Sequence, residues 1–271
     1  MKQVITSPAN RYIRLARTLT RPGRRRELGL FCLEGLRHAA EVIRSGGQVE
    51  VILFRHSLAD HGRWRQSIEL WQALGVPCWP VADSLFARLS QTETPQGVLA
   101  IVKMPAVTWT HLLLRPDPFL LVVDAVQDPG NLGSLLRTAA AARVDGVVLT
   151  VGTVDLYNDK VLRASAGEIL RLAILDRVSI AEVLARLHEK QIRLVVADPR
   201  GETPYFTADL RAPLAIVVGN EAQGPLTELL EAADQRVYIP LANEVDSLNV
   251  GVAWGILAYE AARQQGRLLQ R

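Results

Sequence analysis

The chain is poor in the residues that build the commonest metal and nucleophile sites. It has only two cysteines in 271 residues, Cys32 and Cys78, isolated and outside any CxxC pair, so neither a disulfide framework nor a structural metal is expected. Its five histidines, His38, His56, His61, His111 and His188, all fall outside the polar turns singled out below, which argues against a histidine base. No apolar run approaches the ~18 residues that span a bilayer. Met1-Lys2-Gln3-Val4-Ile5-Thr6 lacks the apolar stretch of a signal peptide, so a cytoplasmic protein without a membrane partner is expected. The sequence has neither a GxGxxG dinucleotide fingerprint nor a GxxxxGK phosphate loop, which argues against a nicotinamide enzyme or a nucleotide hydrolase. Acid is missing from residues 1–26, which hold Lys2, Arg11, Arg14, Arg17, Arg21, Arg24, Arg25 and Arg26. The net charge of +3 therefore hides a basic end on an otherwise net-negative chain.

Lysine is scarce too, and the planar fork of arginine suits phosphate better than an ammonium point charge does. The basic segment supports two compatible readings: a solvated amphipathic helix with Tyr12-Ile13 and Leu15-Leu19 as its buried stripe, or a nucleic-acid contact. One face can pack while the other meets phosphates.

Along the chain, Ser7–Leu28 reads as a helix broken near Pro22-Gly23, and the pattern up to Lys103 reads as a small α/β unit. Its strands fall near residues 29–33, 49–54, 76–80 and 98–103, and its helices near 34–45, 61–74 and 84–89. Pro105, Pro116 and Pro118 mark 104–118 as a linker. From 119 to 271, strands at 119–124, 146–150, 172–175, 192–197, 214–218 and 236–239 alternate with helices at 132–142, 160–165, 180–190, 225–232 and 248–264. Such alternation predicts a mostly parallel sheet covered on both faces.

Three of these strands run into turns marked by glycine and asparagine. The first is Asp128-Pro129-Gly130-Asn131-Leu132-Gly133, with Asn131 the expected helix cap and Arg137 conspicuous in an alanine-rich helix. The second is Gly219-Asn220-Glu221-Ala222-Gln223-Gly224-Pro225, where Pro225 is expected to open a helix and Glu221 either orients a hydroxyl, pairs with Arg137 or simply favours a helix start. The third runs from Ile239-Pro240-Leu241 through Glu244-Val245-Asp246 to Ser247-Leu248-Asn249-Val250, with Ser247 the expected cap. Ligands of open parallel sheets sit outside the carboxyl ends of the strands, so the three turns point to one shared site.

These blocks resemble the three signature motifs of the SpoU-type, TrmH-like RNA ribose 2′-O-methyltransferases of the SPOUT superfamily. Asn158–Gly167, with Lys160–Gly167 in it, is similar to a further stretch of that family. Residues 5–103, including Phe31–Gly35 and Thr94-Pro95-Gln96-Gly97-Val98, look like its ribosomal-protein-like substrate-binding domain. The resemblance implies an RNA-binding domain over 1–103 and a catalytic domain over 119–271 with a deep trefoil knot. It further implies S-adenosylmethionine as cofactor, a homodimer, and structured RNA as partner, first ribosomal RNA and alternatively transfer RNA. Asn131, Arg137, Glu221 and Asn249 match catalytic positions, and Gly219, Ile239, Leu241 and Leu248 match cofactor-binding ones. Arg11, Arg14, Arg24, Arg25, Arg26 and Arg163 are the expected RNA contacts. Ala222, where glycine is frequent, and Gly251, where serine or alanine is usual, depart from the pattern, small residue for small residue. A rival is a non-catalytic ribosome-assembly factor of the same fold, and another is a base-modifying transferase.

Overall fold

Asn10 accepts a hydrogen bond from Tyr12 N and so starts α1 (Arg11–Thr18), whose Tyr12, Ile13 and Ala16 turn inward. The computed structural model describes residues 3–59, 61–90, 96–243 and 246–268. Lys2, Thr94, Pro95, Glu244 and Val245, named above, lie outside them. The chain divides into two units, Met1–Ala106 and Val107–Arg271.

In the first unit, the proline that was expected to break one long helix instead opens a second, α2 (Pro22–Leu28). A first helical turn has no use for the N–H that proline lacks. The rest runs β1 (Leu30–Glu34), α3 (Leu36–Arg44), β2 (Val49–Arg55), α4 (Gly62–Ala73), β3 (Cys78–Val81), α5 (Asp83–Phe86) and β4 (Val98–Lys103). The sheet order is β1-β4-β2-β3, with β4 antiparallel to both neighbours and β3 parallel to β2. Tyr12, Ile13, Leu85 and Phe86 pack on one face against Val51, Leu53 and Ile101. Ala39 and Val42 of α3 are also fully buried.

The second unit begins inside the stretch read as a linker. There α6 (Trp109–Leu112) sends Leu112 into the core, against Gly146, where any Cβ would meet Leu112 Cγ at 2.3 Å. It continues as β5 (Phe119–Val123), α7 (Pro129–Ala141), β6 (Gly146–Thr150), α8 (Asp159–Ala164), β7 (Ile174–Val178), α9 (Ile180–Glu189), β8 (Arg193–Ala197), β9 (Thr203–Pro204), β10 (Leu214–Val218), α10 (Thr227–Glu231), β11 (Gln235–Tyr238) and α11 (Val250–Gln264). All the pairings are parallel, in the order β7-β6-β5-β10-β8-β11-β9. Every residue of β5, β6 and β10 is buried, as a sheet covered on both faces requires. The outer β7 starts two residues later than its apolar pattern suggests and carries the polar pair Asp176-Arg177, which an edge position tolerates. The two-residue β9 is too short to leave a periodic signal, and β11 inserts between it and β8.

Candidate active site

Two asparagines at helix starts set up the site, though not with the caps expected. Asp128, just before Pro129, caps α7 by accepting from Asn131 N at 2.7 Å, which leaves the Asn131 side chain available. Asn249, not Ser247, caps α11, its Oδ1 accepting from Gly251 N at 2.9 Å and Val252 N at 3.4 Å. With its oxygen so occupied, Asn249 turns Nδ2 to Asn131 Oδ1 at 2.9 Å, and Asn131 Nδ2 then donates to Glu221 Oε1 at 2.9 Å. The cap thus fixes the Asn249 amide, which in turn orients that of Asn131, and the chain Asn249–Asn131–Glu221 joins the three turns.

Glu221 also accepts from the Gln127 and Asp128 N–H groups, each at 3.3 Å. Burial raises its pKa, but the Asn131 amide and these backbone donors outweigh that and hold it below the ordinary glutamate value. It is a carboxylate at neutral pH with its oxygens engaged. It makes no pair with Arg137, which is exposed on α7 and has no hydrogen bond or ion pair among the described residues. Pro225 precedes rather than opens α10, which starts at Thr227.

The second turn is clasped by groups that the sequence reading passed over. Asn220 Oδ1 accepts from Ala222 N and Gln223 N at 2.9 and 3.1 Å, while its Nδ2 donates to Ala125 O at 2.9 Å. Asp124, fully buried, accepts from Leu226 N through Oδ2 and from Thr150 Oγ1 through Oδ1, both at 2.8 Å. Gly219 must be glycine because a Cβ there would stand 2.1 Å from Pro225 N as the loop folds back. Gly133 serves packing, since a Cβ would meet Ala164 of α8 at 2.3 Å. The available signal was a polar residue closing an apolar run: Asp124 follows Val123, and Thr150 ends β6.

The turns enclose a cavity of 530 Å³ at the carboxyl ends of β8, β10 and β11. Gly219, Ile239, Leu241 and Leu248 all line it, as do Asn131, Glu221 and Asn249, and so do Val218, Leu257 and Asp198. Arg137 does not. Size, apolar walls and a few convergent polar groups suit a nucleoside-bearing ligand such as S-adenosylmethionine, because sites for such ligands occupy roughly 300–1,000 Å³.

The arginines divide. Arg25 is buried and donates to Leu19 O and Thr20 O at 2.8 and 3.1 Å, so it ties the end of α1 to α2 instead of facing a phosphate. Arg11 lies over the Tyr12 ring, 4.4 Å from its centroid, and Arg24 pairs with Glu27. The side chains of Arg14 and Arg26, both exposed residues, have no partner among the described residues. Arg163 is exposed on α8 and pairs with Asp159 at 2.6 Å. Burial pushes the Cys32 thiol up to about 12, Arg25 offsetting part of this, so it is no nucleophile. Among the described residues no group of three or more His, Cys, Asp or Glu side chains could hold a metal.

A parallel sheet whose glycine turns wall a mixed polar and apolar cavity outside its strand ends defines an α/β ligand-binding protein. Residues 118–259 match the SpoU rRNA Methylase family, and residues 10–100 match the MRM3-like substrate binding domain. The chain belongs to the SpoU rRNA Methylase family. It is 33% identical over 259 residues to the 23S rRNA (guanosine(2553)-2′-O)-methyltransferase RlmP of Bacillus subtilis, covering 96% of this chain and 98% of that one. The solved structure of the SpoU methyltransferase AviRb from Streptomyces viridochromogenes with AdoMet superposes with a TM-score of 0.87 at 28% identity, covering 97% and 100% of the two chains. A solved RNA 2′-O ribose methyltransferase is 36% identical with a TM-score of 0.79, covering 97% and 99%.

Proposed function

We propose that this protein transfers a methyl group from S-adenosylmethionine to a ribose 2′-hydroxyl of ribosomal RNA, as the names of its relatives describe for 23S rRNA. The observation that carries this reading is the convergence of Gly219, Ile239, Leu241 and Leu248 with the Asn249–Asn131–Glu221 chain in one cavity. S-adenosylmethionine supplies an electrophilic methyl on a sulfonium, and those four residues would hold it. Glu221 acts as a positioning carboxylate: a group held below its ordinary pKa and engaged by three donors is a poor proton acceptor. Guanidinium is effectively never deprotonated in proteins. Arg137 therefore orients the acceptor through its phosphate and stabilises developing charge, and the hydroxyl proton leaves to that phosphate or to solvent. Alignment of the reacting atoms is worth ~7–11 kcal/mol in well-oriented systems, so the protein contributes chiefly geometry.

Arg137 stands outside the cavity of its own chain, which supports a homodimer in which a second copy brings this residue to the site. Exposed Val252 and Tyr259 on α11, the helix that packs on α7, offer apolar area for such a contact. A deep trefoil knot in this part of the chain is supported by its membership of the SpoU family. Residues 1–103 bind the RNA with Arg11, Arg14, Arg24 and Arg26, and Arg163 adds a contact from the catalytic part. No described helix is long and apolar enough to cross a membrane, and action on ribosomal RNA supports a cytoplasmic location.

The test is transfer of labelled methyl to ribosomal RNA from cells lacking the gene, followed by nuclease digestion and mass analysis. A 2′-O-methylnucleoside is expected; methyl on a base, or label only in transfer RNA, overturns the reading. For the shared site, Arg137→Ala and Asn131→Ala subunits are mixed. Recovered turnover supports a second copy supplying Arg137, and none refutes it.

A further inference from the structure

Asp198 follows the last residue of β8 and is 5% exposed, yet it lines the cavity on the β8–β11 side. Its Oδ1 accepts from Arg200 N at 2.9 Å. The Arg200 guanidinium stays 3.9 Å away and its side chain is 86% exposed, so it neutralises the carboxylate only weakly. Oδ2 has no hydrogen-bond partner among the described residues. With one oxygen held by the loop, the other is left to accept from a ligand in the cavity it lines.

The position is rigid. Gly201 N bonds to Asp198 O at 2.8 Å, Asp198 N bonds to Val237 O at 2.9 Å, and a Cβ on Gly201 would sit 2.9 Å from the Arg236 backbone. The loop is thus pressed onto β11 and presents the carboxylate in a fixed place. The methyl-transfer end of the cavity is set by Asn131, Glu221 and Asn249, which stand at the starts of α7 and α11 and in the turn after β10. Asp198 belongs to the next strand over. The groups of the donor that can give a hydrogen bond to a carboxylate are the ribose diol, the ammonium and the adenine amino group. An acid at the carboxyl end of a strand beside a nucleoside pocket is well placed to accept from a vicinal diol, the solution seen in dinucleotide-binding sheets.

We infer that Asp198 is a specificity-determining residue that accepts hydrogen bonds from the adenosyl ribose hydroxyls of the methyl donor. This rests on the donor reading given under the proposed function. Asp198→Asn keeps an oxygen for Arg200 N and so preserves the loop; Asp198→Ala, checked for an unchanged melting temperature and circular dichroism, serves as the second variant. Calorimetry would use S-adenosylhomocysteine, 5′-methylthioadenosine and 2′,3′-dideoxy-5′-methylthioadenosine. Both variants should bind the first two ligands about tenfold to a hundredfold more weakly than wild type, the range for hydrogen bonds to a charged group. The dideoxy ligand should show a much smaller difference. An equal loss on the dideoxy ligand, a loss confined to the ligand carrying the ammonium, or no loss in folded variants overturns the inference. Failure of wild type to bind any of the three would sink the donor reading instead.

Discussion

Each link of the Asn249–Asn131–Glu221 chain uses a donor at one end and an acceptor at the other, so its parts are not interchangeable with their charged or neutral isosteres. Asn131→Asp places a second carboxylate 2.9 Å from Glu221, and like charges at that range resist joint ionisation. Donor affinity should fall by about tenfold or more. Combining it with Glu221→Gln restores a donor between the two side chains, and calorimetry should show partial recovery. The Glu221 titration has a definite sign as well. Its folded pKa lies below the ordinary 4.5, so the stability it adds is complete above that value and is lost as pH falls through the lower folded one. Wild type and Glu221→Gln should therefore differ in melting temperature at neutral pH and converge in acid; a constant gap would mean the carboxylate's charge is irrelevant. Both asparagines were legible in the sequence as polar groups at helix starts. Their use as relays was not, because the residue that caps each helix depends on backbone geometry one to three residues away.

At the scale of elements, the turn after β10 is held from beneath by a buried acceptor. Thr150→Val keeps the shape of β6 but removes the hydroxyl that donates to Asp124 and accepts from Ala125 N at 3.1 Å. Leaving those buried groups unpaired should cost about 1–3 kcal/mol in denaturant unfolding and weaken donor binding with it. Gly133→Ala forces α7 from α8 and should destabilise the fold by about 1–3 kcal/mol, with donor affinity changed little. Equal effects of both variants on donor affinity would show that the Asp124 clasp has no special tie to the cavity. The apolar runs of β5, β6 and β10 announced themselves in the sequence, since strands buried on both faces are apolar throughout. By contrast α6 and β9 left no signal: each is too short for periodicity, and α6 is held by burial of Leu112, by the Thr108–His111 capping box and by the Trp109 Nε1 bond to Glu182.

Across the whole molecule the positive charge divides into structural and available arginines. Arg14→Ala and Arg26→Ala together should lower RNA affinity and flatten its salt dependence by about one unit of slope for each phosphate contact removed, with donor binding intact. Arg25→Ala should instead lower the melting temperature, because its guanidinium links two backbone carbonyls between α1 and α2. If Arg25→Ala matched the others in RNA affinity with no loss of stability, the division would be wrong. Sequence showed where the cations cluster; only packing separated the one that faces inward.

By itself the sequence determined the alternation of strands and helices, the parallel sheet and the three turns, because these follow from local patterns of apolar and polar residues and from where glycine, proline and asparagine are tolerated. Tertiary structure alone decided the order β10-β8-β11-β9, the cavity beneath it and the partners of Asp124, Asp198 and Glu221. Those contacts join residues up to about a hundred positions apart, as between Asp124 and Leu226. No local preference encodes which distant backbone N–H will meet a given carboxylate; that is settled when the strands pack.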